Sequence, residues 1–192
     1  MRLIIVRHCK TILNEQNKLQ GISDLGLSMK GVRQARKLAV ALKNENVEVI
    51  HSSRFKRAVQ TAEIINKFHN VPLLKEKALN EMSYGIFEGM TIDEIKDRYP
   101  QSFKEWRKNE FGYAFPKGDS LSSLKQRLGV FIESILNKKK DAMIVAHGEV
   151  SRVLLGNILK WDNERIVSTH LNNGSVTTLK INKIPKLSLF NS

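Results

Sequence analysis

Apolar and polar residues form blocks along the first third of the chain that predict strands and helices in turn. Residues 2–7 are a short run of apolar, partly β-branched side chains between polar neighbours, which predicts a buried strand. Residues 28–42 carry apolar side chains at helical spacing behind a capping serine. A strand over 47–50 and a helix over about 55–68 follow, and Pro72 prevents that helix from continuing. The chain therefore begins as β-α-β-α.

The remaining pattern continues this alternation after a more irregular middle. The predicted elements are short helices over 91–99 and about 103–107, a long helix over 119–137, a strand over 142–146, a helix over 149–160 and a strand over 175–181. Strands separated by helices of this length predict the α/β class, here a three-layer sandwich in which helices cover both faces of an open, mostly parallel sheet. No linker rich in Pro, Gly or Ser divides residues 1–192. A single domain is expected, with residues 90–120 forming a helical lid; an ordinary peripheral core cluster is the alternative for that segment.

Composition narrows the class of protein further. The 192 residues are 41% hydrophobic and 27% charged, which is typical of a globular chain. No apolar stretch approaches the ~20 residues of a bilayer-spanning helix, so no membrane association is expected. The chain has one cysteine, the usage of a reducing compartment, and this predicts a cytoplasmic location.

The charge balance predicts an anionic ligand. With 32 Lys+Arg against 19 Asp+Glu the formal net charge is +13. Such an excess suits nucleic acid, an acidic surface or a small anionic substrate. The basic residues are spread along the chain, and the single run, Lys138 to Lys140, falls where a helix end favours cations. A small anion is therefore expected and nucleic acid is not.

Two histidines follow predicted strands directly. His8 comes after the strand over 2–7, and His147 comes after the strand over 142–146. In an open α/β sheet the site lies at the carboxyl ends of the strands, so two such histidines would meet in one crevice. The third ligand that a zinc site requires is not evident, so neither a metal nor another cofactor is expected. Cys9 is interpreted as a small packing residue.

Arginines accompany these histidines and suggest phosphate chemistry. Arg7 precedes His8, and Arg57 opens the second helix; a guanidinium is a rigid fork that matches phosphate oxygens. A neutral His8 could attack phosphorus while the two arginines and a protonated His147 neutralise the phosphoryl group. Departure of an alcohol requires a proton donor. Glu81 is our candidate and Glu88 competes with it; the physics of the sequence does not separate them.

These residues resemble the motifs of the histidine phosphatase superfamily, in its phosphoglycerate-mutase-like branch, over residues 2 to about 181. The matching segments are Arg7-His8-Cys9-Lys10-Thr11 with Asn14 and Gln20-Gly21, Leu27-Ser28 to Gly31 with Gln34-Ala35, Ser52 through Ala62, Glu81 with Gly85-Ile86-Phe87-Glu88-Gly89, Pro116-Lys117-Gly118-Asp119-Ser120, and Val145-Ala146-His147-Gly148. Three positions depart from the family pattern: Cys9 replaces Gly or Ala, Lys10 replaces an acidic or amide residue, and Asp119 replaces Glu.

The resemblance implies a role for each matched residue. The catalytic set it implies is His8, Arg7, Arg57, Glu81 and His147, with Arg57 chosen over Arg54 and Glu81 over Glu88. The implied substrate-binding and phosphate-binding residues are Thr11, Asn14, Gln20, Gly21 and Gly148.

The expected function is that of a metal-independent phosphatase, which hydrolyses small phosphomonoesters through a phosphohistidine. Phosphoserine, α-ribazole phosphate and sugar phosphates are the candidate substrates, and the chain is expected to be a monomer or homodimer. Two alternatives remain open: a phosphoglycerate mutase, and a basic binding protein without turnover. The short segment between Gly89 and Asp119 favours the phosphatase over the mutase.

Overall fold

A six-stranded sheet lies at the centre of the computed structural model, which describes residues 1–182 and 186–190. Its strands are β1 (Arg2–Arg7), β2 (Val49–Ser53), β3 (Leu73–Glu76), β4 (Ala142–Ala146), β5 (Val176–Lys180) and β6 (Lys186–Phe190). They are arranged in the order β3-β2-β4-β1-β5-β6. Neighbours among β1 to β4 are parallel, whereas β5 is antiparallel to both β1 and β6. The predicted open and mostly parallel sheet is confirmed.

Helices cover both faces of this sheet. The α-helices are α1 (Ile12–Glu15), α2 (Met29–Leu42), α3 (Lys56–Asn66), α4 (Ile92–Arg98), α5 (Pro100–Lys108), α6 (Leu121–Lys138), α7 (Gly148–Leu159) and α8 (Asn163–Ser168), and there are 3-10 turns at Lys77–Leu79 and Gly85–Phe87. None of the helices in the described ranges is long and apolar enough to cross a bilayer.

The two hydrophobic clusters of the core correspond to the two faces of the sheet. Alternate side chains of a strand point to opposite faces, and in β1 Leu3 and Ile5 join the cluster that contains apolar residues of α6 and α7. Ile4 and Val6 join the other cluster, with apolar residues of α2 and α3. The predicted three-layer sandwich is therefore confirmed.

Element boundaries differ from prediction for local reasons. The strand predicted over 47–50 lies at Val49–Ser53. Its last two residues, Ser52 and Ser53, are buried but polar, and so add no hydrophobic signal at that end. The long helix begins at Leu121 because Ser120 and Ser123 form a capping box that sets its first turn. Strand β3 was not predicted; it has only four residues, of which two are exposed, and so it carries little hydrophobic signal.

The middle segment packs against the core through aromatic rings. Phe115 is 4% exposed and its ring centroid lies 5.1 Å from Trp106, 5.1 Å from Tyr84 and 5.2 Å from Tyr113. These contacts join α5 and the chain after it to the loop that carries Glu81. This packing agrees with the interpretation of residues 90–120 as a peripheral core cluster. That the segment also moves as a lid stays a prediction.

Candidate active site

The ends of β1 and β4 bring the two predicted histidines together. The strands are parallel neighbours with Arg7 opposite Ala146, so the next residue of each strand emerges at the same edge. The ring centroids of His8 and His147 are 5.1 Å apart, and both side chains are buried. The crevice expected from the strand pattern is therefore present.

His8 presents one nitrogen with a free lone pair. Its Nδ1 lies 2.8 Å from the carbonyl oxygen of Cys9. Because a carbonyl oxygen only accepts, Nδ1 carries a hydrogen, and in the neutral ring the other nitrogen, Nε2, is then unprotonated. Burial lowers the pKa of His8 well below its usual value, and the charges of Arg57 and Arg7 lower that pKa further. A neutral imidazole with an exposed lone pair is the form that acts as a nucleophile.

His147 is also neutral in its hydrogen bonding, and its protonation beside a phosphoryl group stays a prediction. Its Nδ1 accepts a hydrogen bond from Arg57 Nε at 3.1 Å, so Nε2 carries the hydrogen and donates to Ser53 Oγ at 2.8 Å. Burial lowers the pKa of His147 well below its usual value, and the charges of Arg57, Arg7 and Arg127 lower it further. Without a bound anion, neighbouring cations and the loss of water disfavour a positive imidazole.

Arg57 is completely buried at the start of α3. Its guanidinium donates to the carbonyl oxygens of Gly21 at 2.7 Å, Ser23 at 2.8 Å and Gln20 at 3.4 Å. Burial lowers the pKa of Arg57 to about 10, so it remains charged at neutral pH. Arg54 is exposed. The structure thus places Arg57, and not Arg54, in the crevice.

Arg7 keeps one N–H group that has no acceptor in the part of the chain that the structure describes. Its Nη1 donates to the carbonyl oxygen of Leu171, whereas its Nε is buried and has no acceptor among the described residues. A Cβ on Gly148 would lie 3.2 Å from Arg7 Cζ, so glycine leaves room for the guanidinium. A buried and unpaired N–H of a cation is a ready donor to an anion.

Glu81 has the environment of a proton donor. The side chain is 5% exposed, and its two oxygens accept from the backbone N–H groups of Met82 at 3.0 Å and Glu149 at 3.3 Å. Burial raises the pKa of Glu81 to about 7, and the nearby charge of Glu149 adds to this rise. A carboxyl group with such a pKa can both give and take a proton at neutral pH.

Glu88, the competing carboxylate, is occupied by the backbone. It accepts from the N–H groups of Gly21, Ile22 and Tyr84, each at 3.0 Å. A Cβ on Gly21 would lie 2.1 Å from Glu88 Oε1, so only glycine permits this approach. Glu88 therefore holds the loop of residues 20–23 to the loop that carries Glu81.

Thr11, Asn14 and Gln20 form a second set of hydrogen bonds at the rim of the crevice. Thr11 caps α1 and donates from Oγ1 to Gln20 Oε1 at 2.6 Å, and Gln20 in turn donates to the carbonyl oxygen of Ser23 at 3.2 Å. Asn14 Oδ1 accepts from Asn173 Nδ2 at 3.1 Å. Within the described ranges, the amide NH₂ of Asn14 has no acceptor of its own.

Several contacting residues were missed from the sequence. Ser53 Oγ accepts from His147 and donates to Asn80 Oδ1 at 3.1 Å. Ser53 is the last residue of β2, at the edge of the sheet where His8 and His147 also lie, so the rule that finds the histidines applies to it as well. Glu149 lies in the first turn of α7, directly after the second histidine motif.

Cys9 has the expected packing role. The thiol is fully buried, and burial raises its pKa to about 12, which leaves it protonated. Among residues 1–182 and 186–190, no group of three or more His, Cys, Asp or Glu is placed to hold a metal ion.

The fold and the matched motifs define a protein class. A model of the histidine phosphatase superfamily, branch 1, matches residues 3–187, nearly the whole chain. The chain belongs to the histidine phosphatase superfamily.

Individual relatives are phosphatases. Phosphoserine phosphatase 1 of Hydrogenobacter thermophilus is 30% identical over 195 residues, covering 98% of this chain and 92% of that protein. The Bacillus subtilis phosphatase PhoE is 34% identical over 92% of this chain and 86% of its own. The α-ribazole phosphatase of Shigella flexneri has the same fold, with a TM-score of 0.90 at 24% identity over 100% of this chain and 96% of that chain. The chain is accordingly a phosphoric monoester hydrolase that acts on small phosphorylated molecules.

Proposed function

We propose that this phosphatase hydrolyses small phosphomonoesters without a metal ion, through a phosphohistidine on His8. The observation that carries the proposal is the free Nε2 of a buried, neutral His8 facing a second histidine and two arginines. Glu81 lies beside them with a pKa of about 7. The proposed nucleophile, His8, thus lies in one crevice with the two arginines and with the proposed proton donor, Glu81.

In the first step His8 Nε2 forms a bond to phosphorus in line with the P–O bond that breaks. Glu81 donates its proton to the departing alcohol oxygen. Arg7 and Arg57 stabilise the charge that develops on the transferring phosphoryl oxygens, and protonation lets His147 join them. The NH₂ group of Asn14 and the N–H of Gly148, the first residue of α7, are further donors to these oxygens.

In the second step water replaces the histidine. Glu81, now a carboxylate, takes a proton from water, whose oxygen attacks phosphorus as the P–N bond breaks. His8 returns to its neutral form and orthophosphate leaves. Thr11, Gln20 and Gly21 fix the loop around Arg57. Their direct contact with the phosphate stays a prediction.

Binding of a dianion is expected to place a proton on His147. The atom that would receive it is Nδ1, which now accepts from Arg57 Nε. Two negative charges beside the ring favour the imidazolium and raise the pKa of His147. Both Arg57 Nε and His147 Nδ1 can then donate to the anion.

Calorimetry of sulfate binding measures this proton uptake, because sulfate remains a dianion at neutral pH. The titration is made at pH 7 in buffers of different ionisation enthalpy, in a Glu81→Gln background that removes the titration of the Glu81 carboxyl. Uptake of about one proton per sulfate is predicted, with His147→Gln in the same background losing it. Sulfate binding without net uptake would contradict the neutral His147.

The proposed activity itself is tested by phosphate release from a panel of phosphomonoesters. Phosphoserine leads the panel because a relative is named for it, followed by α-ribazole phosphate and sugar phosphates. Release is expected to persist in excess EDTA and in moderate salt. Activity that requires an added divalent ion contradicts the metal-independent route. Binding of nucleic acid that falls steeply with salt, with no turnover, would favour the basic binding protein.

The mutase alternative uses the same phosphoenzyme and differs in the group that receives the phosphoryl. Incubating 3-phosphoglycerate with and without 2,3-bisphosphoglycerate separates the two. Orthophosphate should be the product in both cases. Formation of 2-phosphoglycerate without orthophosphate would identify a mutase.

A further inference from the structure

A cavity of about 220 Å³ lies beside the loop that carries Glu81, and the mechanism above does not use it. Its lining residues are Asp119, Ser123, Leu124 and Arg127. Asp119 directly precedes the N-cap of α6, and the others project from the first two turns of that helix. The cavity therefore combines one cation and one anion on a rigid element.

Arg127 contacts the loop that carries Glu81, but one of its N–H groups has no acceptor among the described residues. One of its Nη2 hydrogens binds the carbonyl oxygen of Asn80, the residue before Glu81. Its Nε is buried and has no acceptor within the described part of the chain. A buried N–H of a cation without an acceptor is costly, so a ligand that supplies one would be favoured.

Asp119 holds the other side of the same loop. Its Oδ2 accepts from the backbone N–H of Ser83 at 2.9 Å, and its own N–H donates to the Ser83 carbonyl at the same distance. Oδ1 has no donor among the described residues. The Asp119 carboxylate and the Arg127 guanidinium do not form an ion pair within 4.0 Å, although both line one cavity.

This pair of charges lies close to the reacting groups. The charge of Arg127 contributes to lowering the pKa of His147, after the larger effects of burial, Arg57 and Arg7. Asn80 and Ser83, which Arg127 and Asp119 contact, flank Glu81 in the sequence. Since Glu81 protonates the leaving oxygen in the proposed function, the leaving group has to lie against this loop.

We propose that the cavity binds the charged end of the leaving group, and that it fits a zwitterionic α-amino acid. The carboxylate would lie against Arg127, and the ammonium would lie against Asp119 Oδ1. The substrate class is then phosphorylated hydroxy-amino acids, with O-phosphoserine as the simplest member. This inference rests on the proposed function, because it assigns the leaving group of that reaction.

Other leaving groups would leave one of the two charges without a partner. A neutral sugar supplies no anion for Arg127, and a simple carboxylate supplies no cation for Asp119. Rejection of an analogue is strongest where a site's polar group is left unpaired. A cavity of about 220 Å³ has room for an amino-acid end group.

Three matched substrates test the assignment. O-phosphoserine, 3-phosphoglycerate, which has a hydroxyl in place of the ammonium, and phosphoethanolamine, which lacks the carboxylate, are compared by kcat/KM. We expect phosphoserine to exceed each analogue by at least about tenfold. Arg127→Gln should then lower the ratio of phosphoserine to phosphoethanolamine by about tenfold or more, and Asp119→Asn the ratio of phosphoserine to 3-phosphoglycerate.

The variants are chosen to keep the fold. Asp119→Asn retains an acceptor for the Ser83 N–H while losing the charge, and Gln126→Ala, exposed on the same helix, is the control whose ratios should match wild type. Equal kcat/KM for the three substrates, or variants that lower all three alike, would overturn the subsite and leave Arg127 and Asp119 as supports of the loop. Failure of the proposed function is distinguishable, because then none of the three substrates would release phosphate.

Discussion

Replacing Glu81 by Gln is expected to lower kcat for an alkyl phosphomonoester by about 10²- to 10⁴-fold, the usual contribution of a positioned acid or base. The amide fits the same space, but it can neither give a proton to the leaving oxygen nor take one from water. Initial rates of phosphate release from phosphoserine measure the loss. Glu63→Gln, an exposed carboxylate on α3, is the matched control and should behave as wild type.

A substrate with a good leaving group separates the two proposed roles of Glu81, which are general acid in the first step and general base in the second. p-Nitrophenolate departs without a proton, so Glu81→Gln should form the phosphoenzyme from p-nitrophenyl phosphate and then hydrolyse it slowly. A burst of about one nitrophenolate per chain is therefore expected. In wild type, kcat/KM for an alkyl ester should fall as the pH rises through about 7, because the acid must be protonated. Equal loss on both esters without a burst would remove Glu81 from these roles.

Replacing His8 by Ala is expected to reduce turnover of every phosphomonoester by at least about 10⁴-fold, since the covalent route is lost with its nucleophile. A steady-state assay together with thermal unfolding separates this chemical loss from misfolding. Cys9→Ala is the neighbouring control: the thiol is buried with a pKa of about 12, so its removal should alter kcat by no more than a few-fold. A large loss in Cys9→Ala with activity retained in His8→Ala would transfer the nucleophile to the thiol.

The elements that could be predicted are those whose burial requires a continuous run of apolar residues. The runs that became β1 and β4 are apolar because these central strands are covered on both faces, and they lead directly to His8 and His147. Strand β3 stands at the sheet edge with two exposed residues and leaves no such pattern. Local hydrogen bonds, such as the Ser120 and Ser123 capping box, decided boundaries that periodicity alone places within a few residues.

Charge states were harder to predict than positions. The sequence predicts a protonated His147 beside a phosphoryl group. It does not predict that His147 Nδ1 accepts from Arg57 Nε, because hydrogen-bond direction is a tertiary feature. Glu81 and Glu88 have the same chemistry in sequence. They differ because Glu88 receives three backbone N–H groups, whereas Glu81 is desolvated beside Glu149.

Sequence reasoning did not single out Arg127, which lies in the middle of α6. Nothing in its spacing distinguishes it from the many surface cations of a chain with net charge +13. Its contact with Asn80 exists only because α6 packs against the turn at Lys77–Leu79 and the residue that follows it. The packing of α6 thus places one of the dispersed positive charges, that of Arg127, against the loop that carries Glu81.

Trapping of the covalent intermediate tests the central claim most directly. Wild-type protein is mixed with a ³²P-labelled phosphomonoester, quenched in alkali and digested, and the labelled peptide is sequenced. The account predicts an acid-labile, alkali-stable label on the peptide that contains His8, present in Cys9→Ala and absent from His8→Ala. Turnover by wild type with no labelled histidine, or a label that persists in His8→Ala, would contradict it.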